Sequence, residues 1–165
     1  MIEPESSYSW NYCFDNIVSV KNCLQNISDS LRDGGVALIT TMDGSKLYNK
    51  LKENDGNIEV KVNGFDEIIY SVRSSFSFDT DELSNDEQGL GKQIYVKLGT
   101  TGQEFPEYLV HPQFLIKQAY DVGLEIMDIS EFRRNFKYFF HRIWSYKFMC
   151  LNIFNTFLIH FYRYI

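Results

Sequence analysis

Asp33-Gly34-Gly35-Val36-Ala37-Leu38-Ile39-Thr40-Thr41 is the stretch on which the fold class turns. Ahead of it, Ile17, Val20, Leu24, Ile27 and Leu31 recur at alternating three- and four-residue steps. That single apolar stripe predicts an amphipathic helix from Asn16 to Arg32. The glycine pair ends the helix, because glycine accepts the left-handed backbone favoured at a helix C-terminus. Val36 to Thr41 then reads as a short, continuously apolar strand, the pattern of a sheet buried on both faces. Helix, glycine turn and buried strand, in that order, make an α/β unit.

Downstream the same alternation continues. Asp43 is placed to cap a short helix from Ser45 to Lys52, with Leu47 and Leu51 one turn apart. Asn54-Asp55-Gly56-Asn57 is a turn. Ile58, Val60 and Val62 alternate with polar residues, Asn63-Gly64 reverses the chain, and Phe65 to Val72 returns, which predicts a β-hairpin. Ser74 to Gly91 is polar and acidic and reads as a solvated loop. Gln93 to Leu98 is a strand, Pro112 opens a helix over Gln113 to Tyr120, Gly123 closes it, and Leu124 to Ile129 is a further strand.

Composition bounds the rest. The 165 residues suffice for one domain with a core, and 44% hydrophobic with 23% charged residues is a globular balance. The net charge of −6 hides an asymmetry. All 22 acidic residues precede Phe132, beside only ten basic ones, whereas from Arg133 onward there are six Lys or Arg, no acid and 12 aromatics. This break divides the chain into 1–132 and a basic, aromatic tail, 133–165. The tail has no clean period. A membrane helix over Ile143 to Tyr162 is interrupted by Lys147, Asn152, Asn155 and His160, which argues against it. An RNA-binding arm of aromatic and basic residues is the other specific reading of the tail. A divergent terminus without assigned function is the preferred one.

Cys13, Cys23 and Cys150 show no pairing or metal-ligand spacing, so a reducing, intracellular setting is expected. His111, His141 and His160 have no Cys, Asp or Glu at ligand spacing, and Gly89-Leu90-Gly91 lacks the third glycine and preceding strand of a dinucleotide loop. Asn26-Ile27-Ser28 matches a glycosylation sequon, but inside a predicted helix. No nucleophile or acid–base pair stands out.

Phe105-Pro106-Glu107-Tyr108-Leu109-Val110 sets one carboxylate between two aromatics. A carboxylate accepts two adjacent N–H donors, such as N1–H and N2–H of guanine, and aromatic walls fix a ring plane and favour positive charge on it. Guanine N7 already presents a lone pair, so methylating it requires alignment and a dry site more than proton transfer.

This motif, taken with others in order, resembles the C-terminal half of the mRNA cap guanine-N7 methyltransferases of eukaryotes and large DNA viruses. In that family a glutamate within P-E-[FY]-L-V reads the cap guanine. Asn11-Tyr12-Cys13-Phe14-Asp15 with its following helix is similar to H-Y-x-F-[ED]. Ile39-Thr40-Thr41-Met42-Asp43-Gly44 resembles a strand ending in T-T-P-N or T-x-x-D-G, and Gly91 to Leu98 resembles the strand before the glutamate motif. The likeness runs over residues 7 to 132. It implies an α/β fold: a partial class I, Rossmann-like, S-adenosylmethionine-dependent methyltransferase sheet lacking its N-terminal strands, with a β-hairpin insertion.

By the same resemblance, Glu107 would bind the Watson–Crick edge of guanine and Tyr12 would line the cap pocket. Asn11 stands where the family has a histidine that donates to guanine O6, a task an amide can take. Met42 replaces a base-packing proline, and Val96 falls near a position often aromatic. Ser7 and Tyr8 would approach the sulfonium of S-adenosylmethionine. The family's D-x-G-x-G-x-G donor motif has no counterpart here, so the chain is expected to be inactive alone or to need a missing N-terminal half or capping-enzyme subunit. The implied substrate is the capped 5′ end of mRNA. Two alternatives are a fragment of another class I methyltransferase and a non-catalytic interaction module with an aromatic tail.

Overall fold

The computed structural model describes residues 10–61, 68–99, 102–131 and 156–163. A 3-10 turn over Trp10–Asp15 leads into α1 (Ile17–Ser30), then β1 (Val36–Met42), α2 (Gly44–Glu53), β2 (Asn57–Lys61) and β3 (Ile68–Ser74). After a long loop come β4 (Gln93–Leu98), β5 (Glu104–Tyr108), α3 (Pro112–Tyr120), β6 (Leu124–Glu131) and β7 (Thr156–Arg163). One sheet has the order β1-β7-β6 and the other β2-β3-β4-β5.

The helix starts follow their caps. Asn16 Oδ1 accepts from the amides of Val18 and Ser19, and Asp43 Oδ1 from those of Ser45 and Lys46, which satisfies donors a first turn leaves open. His111 caps α3 through Nδ1, which accepts from Gln113 N at 3.2 Å, with Pro112 in the first turn. Leu31, in extended conformation, ends α1 before the glycines, and Gly34 takes a left-handed φ of 72° in the turn that follows.

Around the first sheet lies one core, where Val20 and Leu24 of α1 and Phe114, Leu115 and Ala119 of α3 meet Ile39, Leu124, Ile159 and Phe161. Each of the Val, Leu, Ile and Phe side chains, fully buried, contributes about 1.5–3 kcal/mol. The expectation of a strand buried on both faces is corrected here. Ile39 and Thr41 are buried, but Val36 and Leu38 are 53% and 46% exposed. Among the described residues both helices cover the same face of the sheet, and the partner of β1 is the antiparallel β7.

Composition sets the segment after Phe132 apart, yet its Thr156–Arg163 is the middle strand of this sheet, paired antiparallel to β1 and β6. Arg163 Nη1 donates to Ser28 O and Leu31 O, both at 2.7 Å, and so caps the C-terminus of α1. Among the described residues no helix is long and apolar enough to cross a membrane. The rest of the tail, 132–155 and 164–165, lies outside the described residues, as do the Asn63-Gly64 turn and Phe65.

Expected as a hairpin, β2 and β3 are the first two strands of the antiparallel second sheet. On its inner face, Tyr70, Val72, Ile94 and Val96 pack against Leu47, Tyr48 and Leu51 of α2. The acidic loop before β4 is solvated at Asp79, Asp81, Glu82, Asp86 and Glu87, but it is pinned. Leu83 is buried, and Phe76 and Phe78 stack on or abut Tyr48 with ring centroids 5.8 and 5.2 Å away.

A disulfide joins Cys13 to Cys23, correcting the expectation of unpaired cysteines. Ten residues separate them in sequence, but the 3-10 turn folds back beside α1 and brings their Cα atoms to 6.5 Å.

Candidate functional site

Glu107 sits on β5, the edge strand of the second sheet, which explains how Pro106, lacking an N–H, is accommodated in a strand. Alternation along β5 puts Phe105 and Glu107 on the inner face, opposite Val96 and Ile94, and turns Tyr108 toward the first core. The next two residues part company: Leu109 is buried in the second core and Val110 in the first. The amide of Gly44 donates to Val110 O at 2.9 Å, and a Cβ at Gly44 would strike the Val110 backbone. The end of β1 is thereby held against the Glu107 motif.

Trp10 and Phe14 anchor the 3-10 turn in the first core and leave Asn11 and Tyr12 between them. Asn11, 7% exposed, donates from Nδ2 to Glu107 Oε2 at 2.6 Å. Its Oδ1 accepts from the hydroxyl of Thr41 on β1 at 3.0 Å. Three elements far apart in sequence therefore meet in one line of hydrogen bonds.

Tyr12 is half-exposed beside them. Partial burial raises its phenol above the ordinary value, and the negative charge of Glu107 adds in the same direction, so Tyr12 stays a neutral donor. Met42, partly buried, accepts at Sδ from the Tyr70 hydroxyl at 3.7 Å. Asn11, Tyr12 and Glu107 thus come together as the sequence expects, with Met42 next in chain to Thr41. Val96 shares the inner face of β4 but is only 6% exposed, and Phe105, its cross-strand neighbour, is the more open side chain at 37%. Ser7 and Tyr8 lie outside the described residues. Thr41 and Tyr70 carry no role in the sequence reading. Thr41 stands inside a quoted motif, but nothing in a linear pattern says that its hydroxyl reaches Asn11.

The arrangement offers carboxylate oxygens on Glu107, N–H groups on Asn11, and two exposed aromatics in its neighbouring segments, Tyr12 and Phe105. A planar base with two adjacent donors and a neighbouring acceptor matches it. Where a glycine opens the turn from β1 into α2, the space against Gly44 is filled by Val110.

Known proteins resemble this chain over most of its length. The model of the mRNA (guanine-N(7))-methyltransferase domain matches residues 5–152. A probable mRNA-capping enzyme of Acanthamoeba polyphaga mimivirus is 30% identical over 129 residues, 76% of this chain and 11% of that protein. The mRNA cap guanine-N(7) methyltransferase of Drosophila melanogaster is 25% identical over 130 residues, 79% of this chain and 28% of that protein. The chain thus spans less than a third of either relative. Two solved structures share the fold. One is an S-adenosylmethionine-dependent methyltransferase from Clostridium acetobutylicum, with TM-score 0.50 and 18% identity, over 94% of this chain and 55% of that one. The other is the CcbJ methyltransferase from Streptomyces caelestis, with TM-score 0.52 and 15% identity, over 100% and 60%. With its α/β fold and a match over most of its length, the chain belongs to the mRNA (guanine-N(7))-methyltransferase domain family.

Proposed function

We propose that this chain forms the guanine-binding side of a cap guanine-N7 methyltransferase, with Glu107 as the residue that reads the base. The observation that carries the reading is the 2.6 Å hydrogen bond between Asn11 and Glu107, which orients the carboxylate from a buried neighbour. Guanine presents O6 as an acceptor beside N1–H and N2–H as donors. Glu107 accepts the two donors, and Asn11 offers an N–H to O6. Tyr12 and Phe105 flank the ring plane, where aromatic faces favour the positive charge that N7 methylation creates.

S-adenosylmethionine is the methyl donor this reading calls for, in keeping with the Clostridium neighbour, and when bound it supplies an electrophilic methyl group. The described residues hold and orient the acceptor and contribute no acid or base. In this reading the methyl donor is bound by a further portion, carried in the same polypeptide or by a capping-enzyme partner. The substrate is the capped 5′ end of mRNA, and an intracellular setting goes with it.

Titration with GpppA and ApppA tests the reading. Wild-type chain is expected to prefer GpppA, and Glu107→Ala to lose roughly tenfold or more in GpppA affinity, as befits a charged hydrogen-bond partner. Equal affinity for the two dinucleotides, or no loss in Glu107→Ala, would point to a methyltransferase with another acceptor.

A further inference from the structure

Thr41 makes no contact that the guanine reading requires, yet it is 3% exposed and its hydroxyl lies 3.0 Å from Asn11 Oδ1. We infer that Thr41 is a positioning residue that fixes the orientation of the Asn11 amide and thereby the choice of guanine over adenine. The inference rests on Glu107 being the base-reading carboxylate.

An asparagine side chain has two ends of opposite character, and which one faces a neighbour has to follow from the chemistry of that neighbour. Glu107 settles it. An ionised carboxylate only accepts, so the atom 2.6 Å from Oε2 must be Nδ2, because a carbonyl oxygen there would face another oxygen. Oδ1 is then turned toward Thr41, whose single hydroxyl proton must point to it. The other acceptor within reach, Met42 O, is farther away at 3.3 Å. Glu107 thus dictates the orientation from one end, and Thr41 holds it from the other.

The second hold matters once a base arrives. Guanine N1–H and N2–H compete for the lone pairs of Glu107, which weakens its grip on Asn11. Thr41 is not approached by the ligand and keeps Oδ1 turned away from the base. Asn11 therefore presents N–H, which suits O6 of guanine and repels the exocyclic N–H of adenine. Without the hydroxyl the amide can turn over while guanine occupies Glu107, and Oδ1 then faces O6, so guanine loses its advantage over adenine. The hydroxyl converts a two-way group into a donor.

The test compares Thr41→Val, which removes the hydroxyl at nearly constant volume, with Thr41→Ser, which keeps it. Thr41→Ala serves as a second hydroxyl-free variant should valine prevent folding, and far-UV circular dichroism confirms folding of each. The readout is the ratio of GpppA to ApppA affinity, which a merely structural loss would leave unchanged. A roughly tenfold fall in the ratio is expected for Thr41→Val or Thr41→Ala, with Thr41→Ser near wild type. Alongside, the Asn11 side-chain amide resonances of the ligand-free chain are expected to shift in Thr41→Val and not in Thr41→Ser. An unchanged ratio in a folded hydroxyl-free variant, or a serine variant as impaired as valine, overturns the inference. If the wild type itself shows no guanine preference, the reading of Glu107 has failed, and the inference about selectivity falls with it. The resonance comparison then still reports whether Thr41 anchors the amide.

Discussion

Asn11 and Glu107 stand 96 residues apart in sequence and 2.6 Å apart in space, joined by a hydrogen bond from a buried amide to a carboxylate. One donates, the other can only accept, and the pair is held between a 3-10 turn and an edge strand. Its chemistry is easily inverted.

Asn11→Asp replaces that donor with a second carboxylate. Two like charges at this distance raise the pKa of one carboxyl in the folded state only. Stability is then retained at low pH and lost as pH rises through the raised value. A deficit of roughly 2 kcal/mol near neutral pH is expected, shrinking in acid. Urea unfolding of variant and wild type at about pH 4.5 and 7.5 measures it.

His111 has its own pH dependence. Burial lowers its pKa below the ordinary value of about 6.5, against the opposing pull of Asp43 and Glu82. The neutral ring also caps α3 through Nδ1. The unfolded chain then binds the proton more readily, so the contribution is complete above about pH 6.5 and declines as pH falls toward and through the folded value. In His111→Asn, which keeps a capping acceptor without the titration, the melting temperature should vary less between about pH 7.5 and 5.

Gly44→Ala should destabilise by roughly 2–3 kcal/mol. The added Cβ meets backbone atoms of Val110, which cannot swing aside as a side chain would. A lowered urea midpoint with unchanged slope is the expected result.

Arg163→Gln tests whether the tail strand belongs to the folded unit. It removes a guanidinium that donates to Ser28 O and Leu31 O, at an expected cost of roughly 1.5–3 kcal/mol. A melting temperature equal to that of the wild type would mean that β7 does not hold α1.

Where the sequence carries local chemistry, it foretells the structure well. Asn16, Asp43 and Pro112 mark helix starts, and the hairpin strands, β4 and β6 follow from alternation and turn residues. The line is less good where tertiary partners decide. Val36 to Thr41 is apolar throughout, but which of its faces is covered depends on where α1 and α3 pack, and periodicity is silent on that. Thr156–Arg163 escapes because a strand between two others has no polar alternation to reveal it. Of the candidate site, motif resemblance singles out Asn11, Tyr12 and Glu107, which the structure brings together. Thr41 is not singled out, since its contact with Asn11 spans 30 residues of chain.

Leu109 and Val110 are neighbours in the chain yet are buried in different cores. Asn11 hangs from the first core and Glu107 from a strand of the second, so the pair proposed to read the base forms only when both have assembled and this joint is closed. Contacts of such long range form late. On refolding, nucleotide affinity should therefore return after most of the helical signal has recovered, which makes ligand binding a clock for the completion of the fold.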